Sequence, residues 1–123
     1  MNNVKSDTKE KFTVVKPLFI SFSANLAEEL VAYLETFLKK EISNVVLDLS
    51  SLQDITEKEA ALLMNVQHQF YENQSSFIIC EVVNPLQHLF KECMNITPTE
   101  SEAWDIVQME EMERELLNNF NDL

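Results

Sequence analysis

The run from Asn44 to Phe70, NVVLDLSSLQDITEKEAALLMNVQHQF, constrains this chain more than any other stretch. It opens on Val45-Val46-Leu47, passes through Asp48-Leu49-Ser50 and ends in a long segment of helical apolar spacing. An apolar run of strand length, a short polar connection and a helix pattern predict a buried strand feeding a helix. The join itself is specified. Thr56-Glu57-Lys58-Glu59 has capping-box spacing, in which Thr56 accepts from the amide three residues on and Glu59 reaches back to the amide of Thr56. Glu57 and Glu59 also put negative charge in the first turn, where the helix dipole favours it.

The segments around this run alternate. Residues 1–10 are polar and are expected to fray as a flexible N-terminus. Phe12 to Val15 and Leu18 to Phe22 predict two short strands, broken at Lys16-Pro17. Asn25 to about Lys40 carries Leu26, Leu30, Val31, Leu34, Phe37 and Leu38 on one helical face, with Ser23 or Asn25 as cap. A strand over 45–49 and a helix over 57–72 follow, then a buried strand over 76–83. Asn84-Pro85 predicts another helix start, with Asn as cap and Pro at the first helical position, and Asn95 as a left-handed stop. Ile96-Thr97 is a possible last strand, and Thr99-Glu100-Ser101-Glu102 caps a final helix packed through Ala103, Trp104, Ile106 and Val107. The order β-β-α-β-α-β-α-(β)-α predicts an α/β domain on a mainly parallel sheet of four to five strands with four helices.

Composition narrows the chemistry. The 123 residues contain no glycine. That excludes Gly-rich phosphate loops, whose backbone amides must approach a phosphate without a Cβ between. It also assigns helix ends and turns to Asn, Asp, Ser or Pro. A net charge of −12 argues against nucleic acid or an anionic membrane as the main partner. Eight acids and one base lie between Pro98 and Leu123, so that segment holds −7 of the −12. It reads as a solvated helix face or as a docking surface for a basic partner. With a polar start, no apolar run of membrane-spanning length and Cys80 and Cys93 in apolar contexts, the chain is expected to be cytoplasmic with both thiols free.

His68 and His88 lie on separate predicted helices, neither with a second His or a Cys at i+3 or i+4, so no metal is expected. Nothing has the form of a nucleophile elbow, and the two cysteines are not a CxxC pair. No cofactor motif is present. The residues favour a binding module over an enzyme.

Val45-Val46-Leu47-Asp48-Leu49-Ser50, followed by a helix start and later by Phe77-Ile78-Ile79-Cys80, resembles a STAS domain, the family of anti-sigma-factor antagonists in bacterial partner-switching pathways. The resemblance covers roughly residues 11–107 and is strongest at VVLDLSSLQDI, which follows the family's VxLDLS strand pattern. It implies a STAS-like fold, a non-catalytic protein-binding role in transcription regulation, and an anti-sigma-factor kinase as partner. The family usually carries Asp-Ser-Ser/Thr-Gly at the helix start and is phosphorylated on the first Ser. Counted from Asp48, those positions here are Thr56, Glu57, Lys58 and Glu59. Glu57 stands at the phosphoserine position and cannot accept a phosphate.

Three readings follow from that departure. Glu57 permanently mimics the phosphorylated state, or the domain has become a scaffolding subunit of a transport or stress assembly, or Glu57 is simply a good first-turn residue. Thr56, Ser50 and Ser51 are the substitute hydroxyls. The resemblance places the partner-binding surface at Ser50, Ser51, Gln53, Asp54, Thr56, Glu57, Lys58 and Ala61. Beyond Val107, residues 108–123 read as an acidic amphipathic helical extension. Its apolar stripe Met109, Met112, Leu116 and Phe120, with Leu117 alongside, exceeds what a compact core needs and offers a contact for self-association, including a homodimer.

Overall fold

The computed structural model describes residues 3–121, with side chains described through Asn119. Its elements are β1 (Val4–Thr8), β2 (Thr13–Pro17), α1 (Ala24–Glu35) continued by a 3-10 turn (Thr36–Lys39), β3 (Val45–Asp48), α2 (Glu57–Glu72), β4 (Phe77–Cys80), a 3-10 helix (Asn84–Phe90), β5 (Ile96–Thr97) and α3 (Glu100–Asn121). The five strands form one sheet in the order β1-β2-β3-β4-β5. β1 pairs antiparallel with β2, and every later neighbour is parallel. The α/β expectation holds, with three α-helices and the 3-10 helix as the four helical units.

Alternation along the strands sorts the core into two layers. Val15, Val45, Leu47, Phe77 and Ile79 face α1, α2 and the 3-10 helix, and pack with Leu30, Leu34, Leu63, Phe70 and Phe90. Val14, Val46, Ile78 and Cys80 face the other way, where α3 covers them with Ala103 and Val107. Ala60 and Ala103 are fully buried, which lets each helix approach its sheet face closely. One helix therefore covers the second face by itself.

Several expectations are corrected. Residues expected to fray include β1, whose exposed VKSDT strand shows no apolar alternation and is held mainly by backbone pairing, with Val4 against the core and side-chain bonds from Ser6 to Tyr33 and from Thr8 to Thr13. Charged side chains are usual on such an edge. The strand expected at Leu18 to Phe22 is absent: beyond Pro17 the chain leaves the sheet, and only an isolated Ser21–Asp54 bridge remains. Leu18 and Ile20 are 49% and 59% exposed, while Phe22 is buried. Helix capping at α1 uses Ser23, whose Oγ accepts from the Leu26 amide, and not Asn25. The segment after Asn84 is a 3-10 helix that starts from Val83, with Pro85 in its first turn.

The glycine-free turns are solved differently from expectation. Gln74, at φ 60°, takes the left-handed position after α2. The Ser75 amide donates to the Phe70 carbonyl and the Gln74 amide to that of Tyr71, the hydrogen bonds of a Schellman stop. Glu81, at φ 59°, ends β4 in the same region. Each left-handed non-glycine costs about 1 kcal/mol. Asn95 is not left-handed; its side chain instead donates to Tyr71 and to Glu110 of α3.

Asn44, buried just ahead of β3, joins four parts of the chain. Its Nδ2 donates to the Lys11 carbonyl at 2.9 Å and to Glu111 Oε1 at 2.7 Å. Its Oδ1 accepts from the Ser76 amide at 2.7 Å and from Arg114 at 3.3 Å. α3 thus runs unbroken through the boundary expected at 107/108, and Glu110, Glu111 and Arg114 remain tied to the body of the domain. Asn44→Ala strips partners from groups on the three other segments, the buried Ser76 amide among them. It should lower stability by about 2–4 kcal/mol, read from the urea midpoint at unchanged m-value.

Candidate functional site

The connection between β3 and α2 is built on a three-residue repeat of buried side chains. Leu49, Leu52 and Ile55 point into the core at 1%, 1% and 5% exposure. That spacing turns Ser50, Gln53, Asp54 and Thr56 outward, with Ser51 half-buried between them. Backbone bonds hold the loop in place. Asp48 Oδ1 accepts from the Ser50 amide at 2.9 Å, and the Leu52 amide donates to the Leu49 carbonyl at 3.0 Å. The Ile20 carbonyl accepts from the Gln53 and Asp54 amides at 2.8 and 3.2 Å, and the Phe22 amide donates to the Asp54 carbonyl at 3.1 Å.

At the helix start the capping box forms as the spacing predicts. Thr56 Oγ1 accepts from the Glu59 amide at 3.3 Å, and Glu59 Oε2 accepts from the Thr56 amide at 2.9 Å. The Thr56 hydroxyl itself donates to Glu59 Oε2 at 2.8 Å. That hydroxyl is committed to the cap, and a phosphate on it would sit against the Glu59 carboxylate and open the helix end. Glu57 is the first helical residue and is exposed, as are Lys58 and Ala61 one turn on. All eight residues assigned from the sequence therefore lie along one surface at the C-terminal end of β3, seven exposed and Ser51 half-buried.

The structure adds two residues that the sequence reading had placed in a strand. Ile20 flanks the loop through its carbonyl contacts and remains exposed, as does Leu18 two residues before it, so this polar surface has an apolar border at Ile20. The signal available was Pro17, which ends the ladder and frees the chain to cross the strand ends.

Behind the loop, on the α3 side of the sheet, three acids meet. Asp48 ends β3, Glu81 follows β4, and Glu81 Oε2 accepts from the Glu100 amide at the start of α3 at 2.8 Å. Burial first, then the hydrogen bond and negative charge of Asp48, raise the Glu100 carboxyl above its ordinary value of 4.5. Burial likewise raises the Cys80 thiol, with the charges of Asp48, Glu81 and Glu100 adding to it. Cys93 is raised by burial. Both thiols are free and protonated at neutral pH, which removes the nucleophilic form. His68 and His88 are exposed, and no group of three potential metal ligands occurs among the described residues.

Three of the four stripe residues, Met109, Met112 and Leu116, are exposed on α3, as is Leu117; the side chain of Phe120 lies outside the described residues. No helix among the described residues is long and apolar enough to cross a membrane.

Two outcomes test this description. Thr56→Ala removes the cap and should cost about 1 kcal/mol in urea unfolding. Glu100 holds its proton more tightly folded than unfolded, so stability should fall as pH rises through the range just above 4.5. Glu100→Gln should flatten that slope. Glu111, lowered by Arg114 and Asn44 against the opposing effect of burial, acts in the other direction and below 4.5, where its contribution is lost as pH falls.

No protein-family model matches the chain, and no curated protein matches it by sequence. Solved structures do match. An anti-sigma factor antagonist from Thermotoga maritima aligns with a TM-score of 0.74 at 15% identity, over 87% of this chain and 96% of that one. An anti-sigma-factor antagonist (STAS) domain protein from Planctomyces limnophilus gives 0.68 at 17% identity, over 84% and 95%. The anti-sigma factor antagonist SpoIIAA gives 0.67 at 15% identity in its unphosphorylated form, over 85% and 97%, and its phosphorylated Bacillus form aligns equally well. At these identities the likeness is one of architecture, and it spans most of this chain and nearly the whole of each matched one: this protein has the STAS-domain fold of the anti-sigma-factor antagonists.

Proposed function

We propose that this chain is a non-catalytic protein-binding module of the anti-sigma-factor-antagonist type, with its contact surface on the β3–α2 loop and the first turns of α2. The observation that carries the reading is the placement of Ser50, Gln53, Asp54, Thr56, Glu57, Lys58 and Ala61 together on the outside of a loop whose inside is locked by Leu49, Leu52 and Ile55. A surface held this firmly loses little entropy on docking, and Ile20 supplies apolar area beside the polar contacts. Nothing in the loop assembles a nucleophile with a base, which favours binding over turnover.

The module is not switched by phosphate at the helix start. SpoIIAA exists in phosphorylated and unphosphorylated forms. Here Glu57 holds the position that the sequence resemblance assigns to the acceptor, and the Thr56 hydroxyl is committed to Glu59. A carboxylate at the first helical position keeps negative charge there permanently. The partner is then an anti-sigma-factor kinase bound without regulation, or a scaffold subunit of a transport or stress assembly.

Phosphoryl transfer from labelled ATP by anti-sigma-factor kinases separates these. The unaltered chain should take up no label, and Glu57→Ser should take up label on Ser if a kinase still recognises the surface. Labelling of the unaltered chain would overturn the unswitched reading. For partner binding, Lys58→Glu at the centre of the surface should weaken a recovered complex about ten-fold or more, whereas His88→Ala should not. Equal binding by both variants would move the contact elsewhere.

A further inference from the structure

α3 has two faces that differ in kind. Ala103, Val107, Glu110 and Arg114 recur at helical spacing on the side that meets the sheet and α2. At about 100° per residue, Met109, Met112 and Leu116 fall on the opposite side. They are 60%, 59% and 65% exposed, and Leu117 adds further apolar area beside them. The core does not use this stripe.

The outward charge that α3 itself carries has one sign. Asp105, Glu113 and Glu115 are exposed and flank it. The one base of α3, Arg114, is turned inward: its Nη2 donates to Glu111 Oε1 at 2.8 Å and to Ser76 Oγ at 2.9 Å. On the other side of the stripe Lys9 and Lys11 line a cavity with Met112 and Trp104, and Lys11 reaches Glu115 at 3.9 Å. The outward face is thus apolar along its middle, acidic at Asp105 and Glu113, and mixed in sign along its Glu115 edge. It is also fixed in place, because Tyr71 and Asn95 hold Glu110 while Asn44 holds Glu111, all beyond the last fully buried residue, Val107.

We propose that this face docks a basic amphipathic helix of a partner protein. A cationic helix sets its own apolar side on Met109, Met112 and Leu116 and its lysines or arginines against Asp105 and Glu113, the arrangement of helix-in-groove recognition. Methionine suits such a contact because its unbranched, polarizable side chain repacks around different partners. A second copy of this chain fits less well. Pairing like with like opposes acid to acid, and the stripe from Met109 to Leu117 is only about 12 Å long. That is short for the roughly 800 Å² per partner that stable dimers bury. An anionic membrane is repelled by the same edges.

The test uses the full chain and a labelled amphipathic peptide of leucine and lysine, with a control in which glutamate replaces lysine at the same leucine spacing. Fluorescence anisotropy should give micromolar binding of the lysine peptide at low salt, weakening as salt is added, and no binding of the glutamate peptide. Met112→Ser combined with Leu116→Ser should weaken binding about ten-fold or more, and His88→Ala, exposed on the 3-10 helix, should leave it unchanged. Amide shift perturbations in the unaltered chain should fall along α3, which reads the site without relying on a variant. Failure of the lysine peptide to bind, equal binding of both peptides, or perturbations centred on the β3–α2 loop would each overturn the proposal. A dimer seen by sedimentation and dissociated by the two serine substitutions would overturn it in favour of a second copy.

Discussion

The arrangement depends on a single buried amide. Asn44 sits where β2, β3 and β4 begin, and its side chain uses both ends: the amide nitrogen bonds the Lys11 carbonyl and Glu111, and the oxygen takes the Ser76 amide and Arg114. A parallel sheet leaves its strand starts without the tight hairpins that set register in antiparallel pairs. Here the register of β2, β3 and β4 at that end is fixed by Asn44 together with the Thr13 and Val45 amides, which donate to the Asn44 and Ser76 carbonyls. The same residue decides where α3 lies, because Glu111 and Arg114 reach it from the second layer. Burying an amide is costly unless its groups are paired, and pairing it with three separate segments makes any other arrangement of those segments unfavourable.

Much of this was legible in the sequence, and the reasons differ from element to element. β3 and β4 are buried on both faces, so they appear as continuous apolar runs, and α2 carries its own capping box in adjacent residues. Local chemistry sufficed there. β1 was missed because an edge strand held by backbone bonds has no side-chain signature. Leu18 to Phe22 misled in the opposite direction: its apolar residues look like a strand, but they cross the strand ends, burying Phe22 and leaving Ile20 to accept from the loop. The loop surface was legible as a set of residues but not as a shape, since the inward turn of Leu49, Leu52 and Ile55 needs the sheet and helices around it. Asn44 gave no signal, for its partners lie 32 to 70 residues away.

The absence of glycine shows what a helix end needs. A left-handed position was still required after α2, and Gln74 occupies it despite its Cβ, because the two backbone bonds of the stop outweigh a strain of about 1 kcal/mol. Glu81 accepts the same strain with a further consequence. Its conformation ends β4 and brings its carboxylate to the first amide of α3. A glycine there would relieve the strain but leave that amide without its carboxylate partner.

α3 is therefore fixed at its start by Glu81 and Asp48, where β3 and β4 finish, and in its middle, at Glu111 and Arg114, by Asn44, where they begin. Asp48 belongs to both halves of this arrangement, since the carboxylate that meets Glu100 also receives the Ser50 amide at the start of the loop. The loop surface lies at the end of the sheet where α3 starts, and the apolar stripe follows toward and past the other end. The two proposed surfaces therefore lie toward different ends of the sheet, so a protein on one would leave the other free.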